Sequence, residues 1–234
     1  MKSYWAAVLL SLLSVPVMAA APAPFSARYE VLRNGSRLGE ATISFTALGD
    51  GRYQLLTQTK GTEGLAALTG AQVEERSILS WRHDHPETIS YDYKQKLGWK
   101  SREKHLRVDA GNQRIDSEDK DRDYAPPYRA GVLDRHAITV ALMQDLALGK
   151  TGDLVYQVPD KDSMELWRYR SGARSTLQTA LGSQRALRVD RIRDDASGRT
   201  TTSWLASDRG FIPLRMLQTE SNGETIELRI TSLR

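Results

Sequence analysis

The fold is decided by the segment GVLDRHAITVALMQDLALG, residues 131–149, because it has the one clear helical spacing after the N-terminus. Asp134 is a favourable N-cap, since its carboxylate can accept backbone N–H groups of the first helical turn. Apolar side chains then recur every three or four residues, which places them on one helix face: Ile138, Ala141, Leu142 and Leu146. Gly149 is a favourable residue at the C-terminal end of this helix, because glycine tolerates the positive φ that often ends a helix. We therefore predict a helix over about residues 134–148.

The sequence on both sides of this helix alternates between apolar and polar residues, as half-buried β-strands do. The first strand begins near Phe25 and leads into Asn34-Gly35, a pair typical of a tight hairpin turn. Similar strands, separated by turn residues at intervals of roughly 8–12 positions, continue to the C-terminus. This pattern predicts a mainly β protein with a single domain over residues 20–234. We expect one curved antiparallel sheet, an open or nearly closed barrel, with the helix packed on its concave face.

The first 19 residues have the pattern of a cleavable signal peptide. Lys2 precedes an apolar run over residues 5–17, and small residues follow up to Ala19, with cleavage after Ala20 as the alternative. The apolar run is too short to span a bilayer. The sequence contains no cysteine, which excludes disulfides and the acylated cysteine of a bacterial lipoprotein. We therefore predict a periplasmic protein with no transmembrane segment in the mature chain.

The charged residues are evenly interleaved along the chain. The 33 basic and 29 acidic residues give a formal net charge of +4 at pH 7, without the basic stripe that nucleic-acid binding requires. The sequence therefore predicts no nucleic-acid partner.

The titratable residues form no complete catalytic or metal-binding motif. His83 and His85 can share one face of a strand, but a metal site needs a third ligand that the local sequence lacks. Asp134 and His136 could join a serine in a triad, yet capping already explains Asp134. We predict no metal, no cofactor and no catalytic residue. A pair of carboxylates for glycoside hydrolysis needs only spatial proximity, so that alternative stays open.

The small apolar segment from Gly61 to Gly70 interrupts the strand pattern. It can form a mobile flap over a cavity or a one-turn plug at the end of the sheet, and we favour the plug because short apolar turns usually cap a core.

Large apolar side chains are the best candidates for a binding function. They can simply fill the core and the sheet surface, or they can hold an acyl chain between sheet and helix. The predicted ligand-binding residues are Tyr29, Leu65, Leu68, Tyr91, Trp99, Leu142, Leu146 and Trp204.

Several short motifs give the chain a family resemblance. They are Tyr29, Gly35 and Leu38-Gly39 in the opening strands, Gly131-Val132-Leu133-Asp134 before the helix, Ser203 to Asp208 followed by Phe211-Ile212-Pro213-Leu214-Arg215, and Ile226-Glu227-Leu228. With these motifs the chain resembles the exported bacterial proteins grouped as domain of unknown function 3108, although the segment from Asp119 to Tyr128 is unusually charged. The resemblance implies export and a β-rich fold, and it implies no activity. For Pro213 we predict a structural role.

The leading hypothesis is a non-enzymatic periplasmic protein that binds an apolar or amphipathic envelope ligand, such as a lipid, between sheet and helix. One alternative is an adaptor that binds another envelope protein through an exposed sheet edge or the loop at residues 117–130. A further alternative is a hydrolase of an envelope glycan or ester.

Overall fold

The computed structural model of the protein describes residues 21–82, 84–194 and 196–234. The predicted signal peptide and His83 lie outside the described residues. Within these ranges the helices are α1 (Gly64–Leu68) and α2 (Ile138–Ala147). The strands are β1 (Phe25–Arg33), β2 (Ser36–Gly49), β3 (Arg52–Gly61), β4 (Gln72–Arg82), β5 (His85–Leu97), β6 (Lys100–Asp109), β7 (Arg114–Asp119), β8 (Asp123–Tyr124), β9 (Asp153–Asp160), β10 (Ser163–Thr179), β11 (Gly182–Ile192), β12 (Thr200–Ala206), β13 (Pro213–Thr219) and β14 (Thr225–Leu233).

All fourteen strands form one sheet in the order β8-β7-β6-β5-β4-β3-β2-β1-β14-β13-β12-β11-β10-β9. Except for β8 and β9, strands that follow each other along the chain pair in antiparallel fashion, and β1 also pairs with β14 and so joins the N-terminal and C-terminal halves. The edge strands are β8 and β9, the two strands that flank the helical segment. The predicted single antiparallel sheet is confirmed, and its edges do not pair to close a barrel.

Helix α2 lies in the main core between the two halves of the sheet. Its buried apolar residues, Ile138, Val140, Ala141, Leu142, Met143 and Leu146, belong to one cluster with side chains from β1–β3 and from β9–β14. The helix face that the sequence predicted therefore packs directly on the sheet. Neither helix in the described ranges has the length and apolar character needed to cross a bilayer.

The helix is shorter than the predicted range of residues 134–148. Residues 135–137 form a turn in which Asp134 Oδ1 accepts the backbone N–H groups of His136 and Ala137, each at 2.9 Å. The next bonds run from Thr139 N to His136 O and from Val140 N to Ala137 O, a three-residue spacing that is tighter than an α-helix. Regular helix therefore begins only at Ile138.

The Gly61–Gly70 segment contains a second, five-residue helix, α1, and the prediction that it plugs the core is wrong. Leu65 and Leu68 are 79% and 83% exposed. The helix rests instead on Gly61, where an added Cβ would lie 2.6 Å from Cβ of Ala66. Because its contact with the sheet is made through the small Ala66, the leucines project into solvent.

Candidate functional site

The strand register brings several turns to one end of the sheet, called here the α1 end. Thr59 pairs with Val73 just before β3 reaches α1, and Gly39 pairs with Gly61. In the other half, Thr201 pairs with Gln218, which in turn pairs with Ile226. The α1 end therefore carries α1 and the β5–β6, β11–β12 and β13–β14 turns.

A cavity of about 490 Å³ lies inside the sheet at the α1 end, next to the N-terminal side of α2. Residues of β2–β4 form one wall and residues of β10–β14 form the other. The apolar part of its lining consists of Ile43, Leu55, Trp167, Met216, Leu217, Ile226 and Leu228, and the charged part consists of Arg135, Arg191, Arg193, Arg199 and Glu75. The volume is in the range of small-molecule sites.

An aromatic cluster closes the sheet below the cavity. Phe45 is fully buried and stacks on Tyr53, with ring centroids 5.2 Å apart, and Trp81 and Phe25 lie within 6.4 Å of it. Because Phe45 pairs with Leu55, which lines the cavity, these rings form the layer directly beneath it. Together with α2, they confine the open space to the α1 end.

A buried polar network fastens the start of the helical segment to β4 and β5. The Asp134 carboxylate accepts hydrogen bonds from Ser77 Oγ at 2.9 Å and from Thr88 Oγ1 at 2.8 Å, besides the two backbone N–H groups. Thr88 Oγ1 also accepts the Asp134 N–H at 2.8 Å. Burial raises the pKa of Asp134, and this effect is opposed by nearby His136 and by the hydrogen bonds.

The imidazole of His136 extends this network to the cavity. Its Nδ1 lies 3.0 Å from Ser77 Oγ, and its Nε2 lies 2.8 Å from Thr57 Oγ1. Since the Ser77 hydroxyl donates to Asp134, we assign the proton to Nδ1, so that Nε2 accepts from Thr57. Thr57 and His136 line the cavity, whereas Ser77 and Asp134 lie behind them. The result is a hydroxyl–imidazole–hydroxyl–carboxylate relay that ends at the cavity wall.

The arginines give the cavity a positive lining. Arg135 lies 3.1 Å from Asp160, and Arg199 lies 2.8 Å from Glu220; both carboxylates are outside the described lining. The Arg191 guanidinium lies 3.4 Å from the centre of the Trp167 ring, and Arg193 donates to Thr201 Oγ1 at 3.0 Å.

One carboxylate, that of Glu75, belongs to the described lining of this cavity. It accepts a 2.7 Å hydrogen bond from the Tyr91 hydroxyl. Burial raises the pKa of Tyr91, and the Glu75 charge adds to the effect. The phenol therefore stays a donor to Glu75.

A second polar cluster surrounds Asp145 near the C-terminal side of α2. Lys150 Nζ and the Tyr156 hydroxyl donate to this carboxylate at 2.6 and 2.8 Å, and His85 Nε2 lies 3.5 Å away. His85 also stacks on Tyr156. Among the described residues, no group of three histidines or carboxylates is arranged to hold a metal ion.

This cluster predicts an acid-dependent loss of stability. Burial raises the pKa of Asp145, but the bonds from His85, Lys150 and Tyr156 outweigh it and hold the pKa at about 2. A depressed carboxylate pKa stabilises the fold above the unfolded-state pKa of about 4 and ceases to do so as the pH falls through about 2. We expect Asp145→Asn to be less stable than wild type at neutral pH, with the difference shrinking across that window. Urea unfolding of both proteins as a function of pH measures it; a difference that does not change with pH would contradict this assignment.

The residues predicted to bind a ligand do not form one common site in the structure, and none of them lines the cavity. Leu142, Leu146 and Tyr91 are buried, and the buried Tyr29 donates to the Pro213 carbonyl at 2.8 Å. Trp204 is half-buried, with the Arg215 guanidinium 4.6 Å from its ring centre. Leu65, Leu68 and Trp99 are exposed. A ligand contact by any of these residues stays a prediction.

The residues that line the cavity were missed because each looks ordinary in the sequence. Trp167 and Tyr169 share one face of β10, and Thr57 and Thr59 share one face of β3, so the period-two alternation was the available signal. It cannot tell which faces of distant strands meet. His136 was considered in a triad, but its serine partner, Ser77, lies 59 residues away and could not be chosen among the serines.

The comparisons with known proteins concern the fold and the family. A crystal structure of a beta-barrel-like protein of domain of unknown function DUF1849 from Brucella abortus superposes with a TM-score of 0.57 at 10% identity, covering 92% of this chain and 98% of that one. At this identity the likeness shows the fold alone. No curated protein matches the sequence. The family model described as "Protein of unknown function (DUF3108)" matches residues 25–231, nearly the whole described chain. The chain therefore belongs to the DUF3108 family.

Proposed function

We propose that this protein binds an amphipathic ligand with an acidic group in the cavity at the α1 end. The observation that supports this proposal is the composition of the cavity lining, in which apolar side chains from both halves of the sheet face a set of four arginines. Pockets of this kind hold a ligand by apolar contact and orient it with a few polar groups. Guanidinium groups recognise carboxylates and phosphates in a two-pronged geometry, so an acidic head is the matching group.

The apolar part of the ligand would lie along the walls of the cavity and not under α2. Leu142 and Leu146 already pack on the sheet, and the aromatic layer around Phe45 closes the space below. The volume of about 490 Å³ limits the ligand to a single small molecule or part of an acyl chain.

We also propose that the protein works in the bacterial periplasm. The proposal is supported by Lys2, by the apolar run over residues 5–17 and by the small residues up to Ala19, which together have the pattern of a signal peptide. Fusion of residues 1–24 to a reporter that is active only in the periplasm tests it, and retention of the full-length protein in the cytoplasm would contradict it.

Native mass spectrometry of the protein purified from the periplasm tests for a bound ligand directly. Thermal unfolding with oleate and with oleyl alcohol then separates the acidic head from the chain, since the two probes share the same tail. We expect oleate to raise the unfolding temperature more than the alcohol. Ligand-free protein that neither probe stabilises would overturn the proposal.

The substitution Met216→Trp should abolish this stabilisation, because a larger side chain at Met216 occupies the cavity. Val155→Trp on β9 is the matched control, since Val155 is 51% exposed and lies outside the cavity lining. Isothermal calorimetry with oleate measures the loss. Unchanged binding in Met216→Trp would place the ligand elsewhere.

The substitution Arg135→Gln should weaken oleate binding by about tenfold and leave oleyl alcohol unaffected, because hydrogen bonds to charged groups contribute about 1.5–3 kcal/mol. Arg129→Gln, an exposed arginine outside the lining, is the control. Equal losses for the acid and the alcohol would show that Arg135 shapes the cavity without recognising charge.

A second candidate function, hydrolysis of an ester, is favoured by one observation: the Thr57 hydroxyl at the cavity wall lies 2.8 Å from His136 Nε2, which accepts its proton in the tautomer assigned above. In such a reaction Thr57 Oγ1 attacks the ester carbonyl while its proton passes to His136, which returns it to the leaving alcohol; water then releases the acid. An assay with p-nitrophenyl esters distinguishes the candidates. Activity that is lost in Thr57→Val while oleate still binds would establish hydrolysis, and no activity above the rate in buffer would exclude these substrates.

A further inference from the structure

We propose that α1 and the β5–β6 turn form a surface that docks on an anionic lipid bilayer. The surface, called here the docking face, consists of the apolar side chains Leu65, Leu68, Leu97 and Trp99 and of the lysines Lys60, Lys94, Lys96 and Lys100. The proposal concerns the outside of the α1 end and does not depend on a ligand in the cavity.

The apolar part of the docking face is unusually exposed. Trp99, Leu68 and Leu65 are 92%, 83% and 79% exposed and are the three most exposed large apolar side chains in the described ranges. Leu97, two residues before Trp99, is 46% exposed. Single exposed leucines are common on protein surfaces, whereas a cluster of this kind marks an interaction site.

The two segments of the docking face lie against each other. The Gly98 N–H in the β5–β6 turn donates to the carbonyl of Thr69, the residue after Leu68, at 3.2 Å. An added Cβ on Gly98 would lie 3.8 Å from Cβ of Thr69. The leucines of α1 and the tryptophan of the turn therefore form one continuous projection at the end of the sheet.

The lysines around this projection favour an anionic partner. Lys60, Lys94, Lys96 and Lys100 are all exposed, and none forms an ion pair among the residues that the structure describes. Four carboxylates lie near these lysines, and each has another partner: Glu40 and Glu63 lie 2.6 and 3.3 Å from Arg37, Glu74 lies 3.0 Å from Arg76, and Glu103 lies 3.5 Å from His105 Nε2. The four lysines, together with Arg37 and Arg76, outnumber these four carboxylates, so the face keeps an excess of positive charge.

A bilayer surface is the partner that uses both parts of the docking face. Tryptophan and leucine insert at the boundary between headgroups and acyl chains, and tryptophan prefers that boundary. Lysines keep their ammonium groups at headgroup level and gain attraction from anionic lipids. A short helix and a hairpin turn are narrow enough to insert. Apolar insertion and electrostatic attraction, each weak alone, together give stable but reversible binding.

The position of the docking face relates it to the cavity. Thr59 lines the cavity and lies two residues before Gly61, on which α1 rests. Docking through α1 would therefore hold the open end of the cavity towards the lipid surface.

Vesicle co-sedimentation of the purified protein tests the proposal. We expect binding to vesicles of phosphatidylcholine and phosphatidylglycerol in equal parts, little binding to phosphatidylcholine alone, and weaker binding as salt rises. The tryptophan fluorescence should shift to shorter wavelength on binding in the wild type but not in Trp99→Phe, because the Trp99 ring leaves water. Equal binding to both vesicle types, or no binding to either, would overturn the proposal.

Matched variants separate the docking face from general effects. Leu68→Ser should weaken vesicle binding by about tenfold, whereas Leu166→Ser, at a site on β10 that is 67% exposed, should not. Lys96→Glu should weaken it by about fivefold or more, and Lys120→Glu, an exposed lysine in the β7–β8 turn, should have less effect. Equal effects within either pair would contradict the assignment. A dimer that Leu68→Ser dissociates would replace the bilayer with a second copy of the chain.

The two proposals can fail separately. Met216→Trp should retain vesicle binding, since the substituted side chain is in the cavity and not on the docking face. Leu68→Ser should retain oleate binding for the same reason. Loss of vesicle binding in Met216→Trp would show that the cavity ligand, and not the docking face, holds the protein to lipid.

Discussion

Asp134→Ala is expected to lower the free energy of unfolding by about 3–5 kcal/mol. The Asp134 side chain is buried and accepts four hydrogen bonds, two from the hydroxyls of Ser77 and Thr88 and two from backbone N–H groups. Alanine would leave several buried donors without an acceptor and would release the turn at residues 135–137. It would also deprive His136 of the ordered Ser77 hydroxyl. Urea denaturation measures the difference.

Two further variants show whether burial and charge explain the loss. Asp134→Asn keeps one acceptor oxygen, so we expect a smaller loss than for alanine. Asp153→Ala removes an exposed carboxylate that pairs with Arg170 at 2.7 Å, and it should leave the unfolding midpoint almost unchanged, because exposed ion pairs contribute little. If Asp134→Ala behaved like Asp153→Ala, the buried network would not stabilise the fold.

Phe45→Ala is expected to lower the free energy of unfolding by about 3–5 kcal/mol, the usual range for a buried phenylalanine. The ring is fully buried and contacts the rings of Phe25, Tyr53 and Trp81. Alanine removes the stacking contact with Tyr53 and leaves a cavity in the aromatic layer, which the surrounding strands can fill only partly. Thermal and urea unfolding both measure this loss.

Phe45→Leu is the matched control, since it keeps most of the apolar volume and is expected to lose less than about 1.5 kcal/mol. Leu166→Ala on the exposed face of β10 should change little. An equal loss for Phe45→Ala and Phe45→Leu would mean that the aromatic contacts matter and the volume does not. A negligible loss for both would mean that the aromatic layer is not packed as the structure has it.

Much of the fold could be predicted because its signals are local. The hairpin turn at Asn34-Gly35 has positive φ at both residues, as that pair predicts. The apolar spacing after Asp134 predicts α2 within a few residues of its ends. The predicted start was four residues early, because the sequence does not show that a tighter turn, capped by Asp134, precedes the regular helix.

The candidate site could not be predicted from the sequence because its residues come from segments that are far apart along the chain. Thr57 and Ser77 lie 79 and 59 residues from His136, and the cavity joins strands from both ends of the chain. The sequence also did not show that the side chains of Leu65, Leu68 and Trp99 are exposed. An apolar turn can plug a core or project from it, and here the contact of Ala66 with Gly61 makes it project.

The sequence by itself determined where most of the strands, their turns and helix α2 lie, that no disulfide can form, and the family of the chain; it did not show that the predicted loop at residues 117–130 contains the end of β7 and the short strand β8. Those properties depend on residue spacing, backbone preference and motifs that act over a few positions. Only the tertiary structure decided that β1 pairs with β14, that the sheet stays open between β8 and β9, and that Thr57, Ser77, Asp134 and His136 meet. The alternation of a strand specifies which side chains share a face, but the choice of partner strand depends on packing across the whole core.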